Sequence, residues 1–410
     1  MPASRGWRFK AKLRTRAYGW RGSALAVTRL KESVSEIKAL AKSDPVTAGE
    51  GAVTLMERIW PAFQDIDTSS GALGAAVART LEQLIPILAD APADHAVRAS
   101  WLERLFDAVQ EDGVQYLAPV EERWAEIARY PDLIHTYADR LLPLLRRAWA
   151  DHEQFSYVTG TAICLSCLLE AGRYAELQDL LAIQRIRFWS WHRFGAEALL
   201  RQGLWEAAIA HAEATRDDTG GRYDNRAIDK FCEGVLLGQG RSEEAYRRYG
   251  LRAAAGATNL AICRALVRSY PDRDRRGLLL DLIESRGEKG KWFAAAKDAG
   301  ILDVALDCAA EDSADPATLA RAARDFRDTD PRFAVAVGLL AVRHLLAGGG
   351  YDPDVSEASE AARHLLVAAS RIEAADWARQ ELNRLAEAPC VPGREPFRQA
   401  IKAIMSRPGA

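Results

Sequence analysis

Apolar positions recur every three to four residues along most of this chain, and runs of alternating β-branched residues are nearly absent. That period predicts amphipathic helices rather than strands. Residues 23–30 lead into 33–40 as one such pattern. Asp44-Pro45 then gives a break and a new start, since aspartate accepts hydrogen bonds from first-turn amides and proline suits the first helical position. QDIDTSSG (64–71) is a polar loop rich in capping residues, ahead of the period Val77, Leu81, Leu84, Leu88. Further helices fit 95–111, 118–129 and 131–150. Asp315-Pro316 opens another, GGGYDP (348–353) is a loop, and Arg343-His-Leu-Leu346 is echoed by Arg363-His-Leu-Leu366.

Self-similarity begins near residue 157. Leu168-Leu-Glu-Ala-Gly172, Leu199-Leu-Arg-Gln-Gly203 and Leu236-Leu-Gly-Gln-Gly240 each precede a second helical pattern, and the glycines are 31 and 37 residues apart. A glycine there allows left-handed backbone, so one helix can end and the next fold back. Eight residues before the glycine stand Cys164, Gly195 and Cys232; five before stand Cys167, Ala198 and Val235; nine before stand Ile163, Phe194 and Phe231. Small residues at a fixed register are what close helix packing requires. Residues 290–306 read as a helix, a turn at Gly300 and another helix.

The spacing brackets the ~34 residues of a tetratricopeptide repeat, and the middle third resembles such repeats without their full consensus. The phrases AKLRTRAYGWRGSALA (11–26), QDIDTSSGALG (64–74), FCEGVLLGQGRSEEAYRRYGLR (231–252) and GKWFAAAKDAG (290–300) resemble a bacterial family of uncharacterised all-helical proteins. That resemblance implies a helical fold over most of the chain and no particular activity. The expected fold is an all-α, right-handed α-solenoid of antiparallel helix pairs, tetratricopeptide-like in the middle. The expected parts are a basic arm (1–31), an N-terminal helical region (32–155), helical repeats (156–311) and a C-terminal helical region (312–410).

Charge changes this picture at one end only. Among 55 basic and 57 acidic residues the net charge is −2. Residues 1–31 nevertheless carry Arg5, Arg8, Lys10, Lys12, Arg14, Arg16, Arg21, Arg29 and Lys31 with no acid, which leaves a body of net charge −11. Arg8, Lys10, Lys12, Arg14 and Arg16, with Trp7, Tyr18 and Trp20 nearby, are the candidate nucleic-acid contacts. The alternatives are a frayed terminus or a helix laid on the acidic body; an arginine-rich, acid-poor start also imitates a mitochondrial transit peptide. No apolar run approaches the ~18 residues of a membrane span, no apolar signal region opens the chain, and six scattered cysteines suggest a reducing cytoplasm.

Candidate chemistry is sparse. Cys164-Leu-Ser-Cys167 lacks the second ligand pair of a zinc site and the βαβ setting of a redox motif. Seven histidines show no metal-ligand spacing. GEKGK (287–291) lacks the upstream glycine and the following Ser or Thr of a phosphate loop, and Asp65/Asp67 lack EF-hand spacing. Glu121-Glu122 and Glu243-Glu244 read as solvated helix faces. No cofactor, metal or catalytic constellation is expected.

RIRFWSWHRF (185–194) interleaves aromatics with cations. On a helix, Phe188, Trp191 and Gly195 share one side, and Ile186, Trp189 and Ala196 another, leaving Arg187, Ser190, Arg193, Glu197 and Arg201 as a wet stripe. By analogy with tetratricopeptide geometry, the groove would show Thr159, Ser166 and Glu170, then Ser190, Arg193, Glu197 and Arg201, then Lys230. Arg193 and Lys230 share a register and could hold a peptide carboxylate. The expected function is a non-catalytic cytoplasmic scaffold for a protein or peptide partner, without membrane contact. The alternatives are a nucleic-acid-associated protein using the arm, and an enzyme with dispersed site residues.

Overall fold

The computed structural model describes residues 6–150, 157–184, 187–216, 222–389 and 391–406. It is 74% helix, with no strand among the described residues. The chain forms two compact units, 1–228 and 229–410.

The first unit starts from three mutually packed 19-residue helices, Ser23–Ala41, Pro45–Phe63 and Ala72–Asp90. Asp44 caps the second by accepting from the Thr47 amide at 3.1 Å, with Pro45 at its first position, as the sequence predicts. Asp94 does the same for His95–Glu111 through Val97 at 2.8 Å. Contrary to the sequence expectation, Ala72–Asp90 is long and apolar enough to cross a bilayer by length and composition. Its apolar residues (Leu73, Val77, Leu81, Leu84, Leu88) are buried within the unit.

Arg98 ties the end of this helix to a later segment. Fully buried, its guanidinium donates to the carbonyls of Leu88 (2.5 Å), Ala91 (2.5 Å), Ala89 (3.4 Å) and Ile127 (3.2 Å). One side chain thus satisfies the orphan carbonyls at the end of Ala72–Asp90 and links them to the segment 118–128. That segment is two short helices, Ala118–Glu122 and Trp124–Ala128, rather than one. Trp124 packs edge-on to Tyr137 at 5.0 Å and Phe106 at 6.3 Å. Pro131–Ala150 then leads to the region of self-similarity.

There the glycine turns are the ones the pattern predicts. Gly172, Gly203, Gly240 and Gly300 have φ of 70°, 74°, 71° and 75°. The next residue's amide reaches back to the same position each time: Arg173 to Leu168, Leu204 to Leu199, Arg241 to Leu236 and Ile301 to Ala296, at 2.9–3.0 Å. These are Schellman closures, the six-to-one bond of a helix that stops in left-handed backbone. In the first unit they join Thr161–Glu170 to Tyr174–Ala182 and Trp189–Arg201 to Trp205–Glu213. The register residues Cys164, Cys167, Gly195 and Ala198 are buried. A Cβ on Gly195 would fall 2.7 Å from Leu181 Cδ1 and 2.9 Å from His211 Nε2, so any larger residue there would have to displace those side chains.

In the second unit, Asn259–Ser269, Arg275–Arg286, Phe293–Asp298 and Leu302–Ala309 precede the successive packing of Pro316–Phe326, Pro331–Leu346 and Val355–Ser370. Asp315, Asp330 and Asp354 cap the last three. His344 is buried and its Nε2 lies 2.8 Å from the Ala309 carbonyl, a packing role.

Candidate functional site: an acidic cleft lined by aromatics

The basic arm is not free. Trp7, Phe9 and Leu13 are buried, and the Trp7 ring lies over Gly51, where a Cβ would sit 2.4 Å from its Cζ2. The arm's cations face acids of the body: Lys12–Glu32 at 2.8 Å, Arg8–Glu36 at 3.8 Å and Arg16–Asp65 at 3.7 Å. Lys10 and Arg14 complete the candidate set, Arg14 exposed and Lys10 half-buried. Arg5 lies outside the described residues.

Of RIRFWSWHRF, Arg185 and Ile186 lie outside the described residues. A helix starts at Trp189 with Phe188 as its cap position. Trp189, Trp191, His192 and Phe194 are buried, so the aromatics point inward, as helical spacing predicts. Trp191 stacks with Trp149 (5.5 Å) and with Tyr157 (6.4 Å), with Phe188 edge-on at 5.3 Å. Ser190 is exposed; Arg193 and Glu197 are half-buried.

These residues border a cleft of about 330 Å³ that sequence spacing does not foresee. Its lining includes Glu121 and Glu122 from Ala118–Glu122, Tyr157 and Thr161 ahead of and within the next helix, and Phe188, Ser190 and Trp191. The expectation that Glu121-Glu122 is a solvated face is overturned for Glu121, which is only 5% exposed. Leu117, Val120, Glu121 and Trp124 occupy one stripe at steps of three and four, so Glu121 takes an apolar-face position. Its Oε2 accepts from the Gly160 amide at 3.1 Å, where φ is 88°.

Burial pushes the Glu121 carboxyl up to about 7; the Gly160 N–H opposes this, and the negative charges of Asp112 and Glu122 add to it. The Asp112 carboxyl is also raised by burial, although the Leu117 and Val114 amides donate to it. Burial raises the Tyr157 phenol as well, with Glu121 and Asp112 contributing. Each shift has the sign expected where negative charge is crowded and poorly solvated.

One cation already stands at the edge. Arg193 Nη2 lies 3.0 Å from Glu122 Oε2, and its guanidinium covers the Phe194 ring at 4.4 Å. Arg201 bridges Glu170 (2.9 Å) and Glu197 (3.6 Å). Lys230, in the second unit, meets the buried Glu233 at 3.3 Å. Arg193, Arg201 and Lys230 are therefore each neutralised within their own unit. Ser166 is buried and accepts from the Ala125 amide at 3.2 Å, which corrects its expected place on an open groove; the 118–128 segment covers it.

Two further buried groups accompany the site. His192 Nδ1 and His211 Nε2 are 3.1 Å apart. Burial lowers His192 to about 4, with His211 and Arg187 adding, and His211 is lowered for the same first reason. Cys164 and Cys167 are free, fully buried thiols; burial pushes Cys164 up to about 12. They serve as small core residues of the repeat register.

Fold and site together define an all-α protein with an open cleft that holds one buried carboxyl, Glu121, beside aromatic side chains. No family model, curated protein or solved structure matches the chain.

Proposed function

We propose that this protein is a non-catalytic scaffold whose cleft at Glu121 takes a basic side chain of a protein partner. The observation that carries the reading is the Glu121 carboxylate, nearly excluded from water and bordered by Glu122, Tyr157, Phe188 and Trp191. A lysine or arginine head there would gain a charge-assisted hydrogen bond in a weakly screened setting and aromatic faces beside it. Ser190, the candidate that lines the cleft, can accept from the same head. Arg193 sets the position of Glu122 and competes for it, rather than holding a peptide carboxylate with Lys230.

The same reading keeps the right-handed solenoid with a tetratricopeptide-like middle, supported by the shared Schellman closures and small-residue register. It also keeps membership of the all-helical bacterial family and a cytoplasmic setting. The nucleic-acid reading ranks second, because Arg8, Lys12 and Arg16 are already paired.

The test is fluorescence anisotropy with a labelled peptide bearing one Arg-Lys pair between apolar residues, against a twin carrying Glu-Asp. The basic peptide should bind, and Glu121→Gln with Glu122→Gln should weaken it at least about tenfold, or ~1.4 kcal/mol. Equal binding of both peptides, or no effect of the double substitution, refutes the reading.

A further inference from the structure

Helices Ser23–Ala41 and Ala72–Asp90 lie side by side, and between them runs a groove of about 330 Å³ that shares no residue with the Glu121 cleft. Sequence spacing builds it. Val27, Leu30, Lys31, Val34, Ser35 and Lys38 keep to steps of three and four, which hold one face of the first helix in line. Ala76, Arg79, Thr80 and Gln83 repeat that spacing on the second helix. Leu30, Val34, Ala76 and Thr80 are buried as the floor, while Lys31, Lys38 and Arg79 form the rim.

The groove has one sign of charge. Its described lining holds three cations and no carboxylate. The acids on the first helix serve the arm instead: Glu32 meets Lys12 and Arg29, and Glu36 meets Arg8, so these pairs use none of the rim cations. Lys38 Nζ donates to Gln83 Oε1 at 2.8 Å, which fixes it at the rim without neutralising it. Val27 to Lys38 spans about 16 Å at ~1.5 Å per residue, or three helical turns.

We infer that this groove docks an acidic amphipathic helix of a partner protein, its apolar stripe along Val27 above the buried floor of Leu30 and Val34 and its flanking carboxylates on Lys31, Lys38 and Arg79. Two aligned helix ridges with an apolar floor and charged edges are the form that receives a third helix through anchors at steps of three and four. Nucleic acid fits less well, since no aromatic lines the groove to stack a base.

The test uses three labelled peptides of about 16 residues, enough to cover the three turns of the groove. One has a leucine stripe flanked by glutamates, its twin has lysines for the glutamates, and the third is a scramble of the first without the stripe. The acidic striped peptide should bind the full chain at least tenfold tighter than the other two. Lys31→Glu with Lys38→Glu should lower its affinity at least tenfold, with circular dichroism and the urea midpoint unchanged; Lys31→Gln with Lys38→Gln repeats the test if the reversal unfolds the protein. Equal binding of the twin or the scramble overturns the inference. So does rim-dependent binding of laurate or an oligothymidylate without binding of the striped peptide. Binding here should survive Glu121→Gln, so its failure is distinguishable from failure of the cleft.

Discussion

Replacing Glu121 by glutamine should stabilise the protein at pH 8 while weakening its proposed binding. Glutamine keeps an acceptor for the Gly160 N–H and removes the buried charge. A carboxyl held at about 7 in the folded chain, against its ordinary 4.5, corresponds to on the order of 3 kcal/mol. Because the folded pKa lies above the unfolded one, the folded state holds the proton more tightly between those values. Stability therefore falls as pH rises through that window, and the full cost is present above about 7. The variant should match the wild type near pH 4 and exceed it by up to about 3 kcal/mol at pH 8. His192 acts oppositely: held near 4, it is most favourable above the unfolded imidazole pKa, and its contribution is lost as pH falls toward 4. The two offset each other in the wild type, so the difference between proteins is the quantity to read. Urea unfolding followed by tryptophan fluorescence at several pH values supplies it. A variant that is no more stable at pH 8, or a difference flat from pH 4 to 8, refutes the assignment of a desolvated carboxylate.

Other substitutions probe the scaffold. Arg98→Met should cost at least about 2 kcal/mol in urea unfolding, because it strips a charged donor from four buried carbonyls. Gly195→Ala should cost about 1–3 kcal/mol by overpacking against Leu181, whereas Gly203→Ala, at φ 74° with open space around it, should cost about 1 kcal/mol from backbone alone. His192→Phe should flatten the loss of stability between pH 6.5 and 4, read by the same unfolding series; an unchanged slope would remove the buried pair from the account. Cys164 and Cys167 should resist iodoacetamide in the native protein and react in urea.

The helical order is legible because its signals are local. Aspartate caps at Asp44, Asp94 and Asp315 and glycine stops at Gly172 and Gly203 act within one turn of their own position. The inward turn of Trp189 and Trp191 comes from helical period alone. The cleft is not local. Glu121, Gly160 and Ser190 are distant in sequence and come together through tertiary contacts of the 118–128 segment, among them Arg98 to Ile127, Ala125 to Ser166 and Gly160 to Glu121. The sequence carries a trace of it nonetheless. Glu121 interrupts the stripe Leu117, Val120, Trp124, and Arg98 begins the stripe Trp101, Leu102, Leu105. A charge at an apolar-face position is the pattern that both share, and both are buried. His192 is a related case, a neutral titratable group four residues after Phe188 on the packed side of its helix.

Isothermal titration of the basic peptide into the full chain, at pH 7 in two buffers of different ionisation heat, tests the central claim. Saturable binding is expected, with proton release on the order of half a proton and tightening from pH 6 to pH 8, and both should be lost in Glu121→Gln. Binding with no proton exchange, and equal in the wild type and the variant, would contradict it.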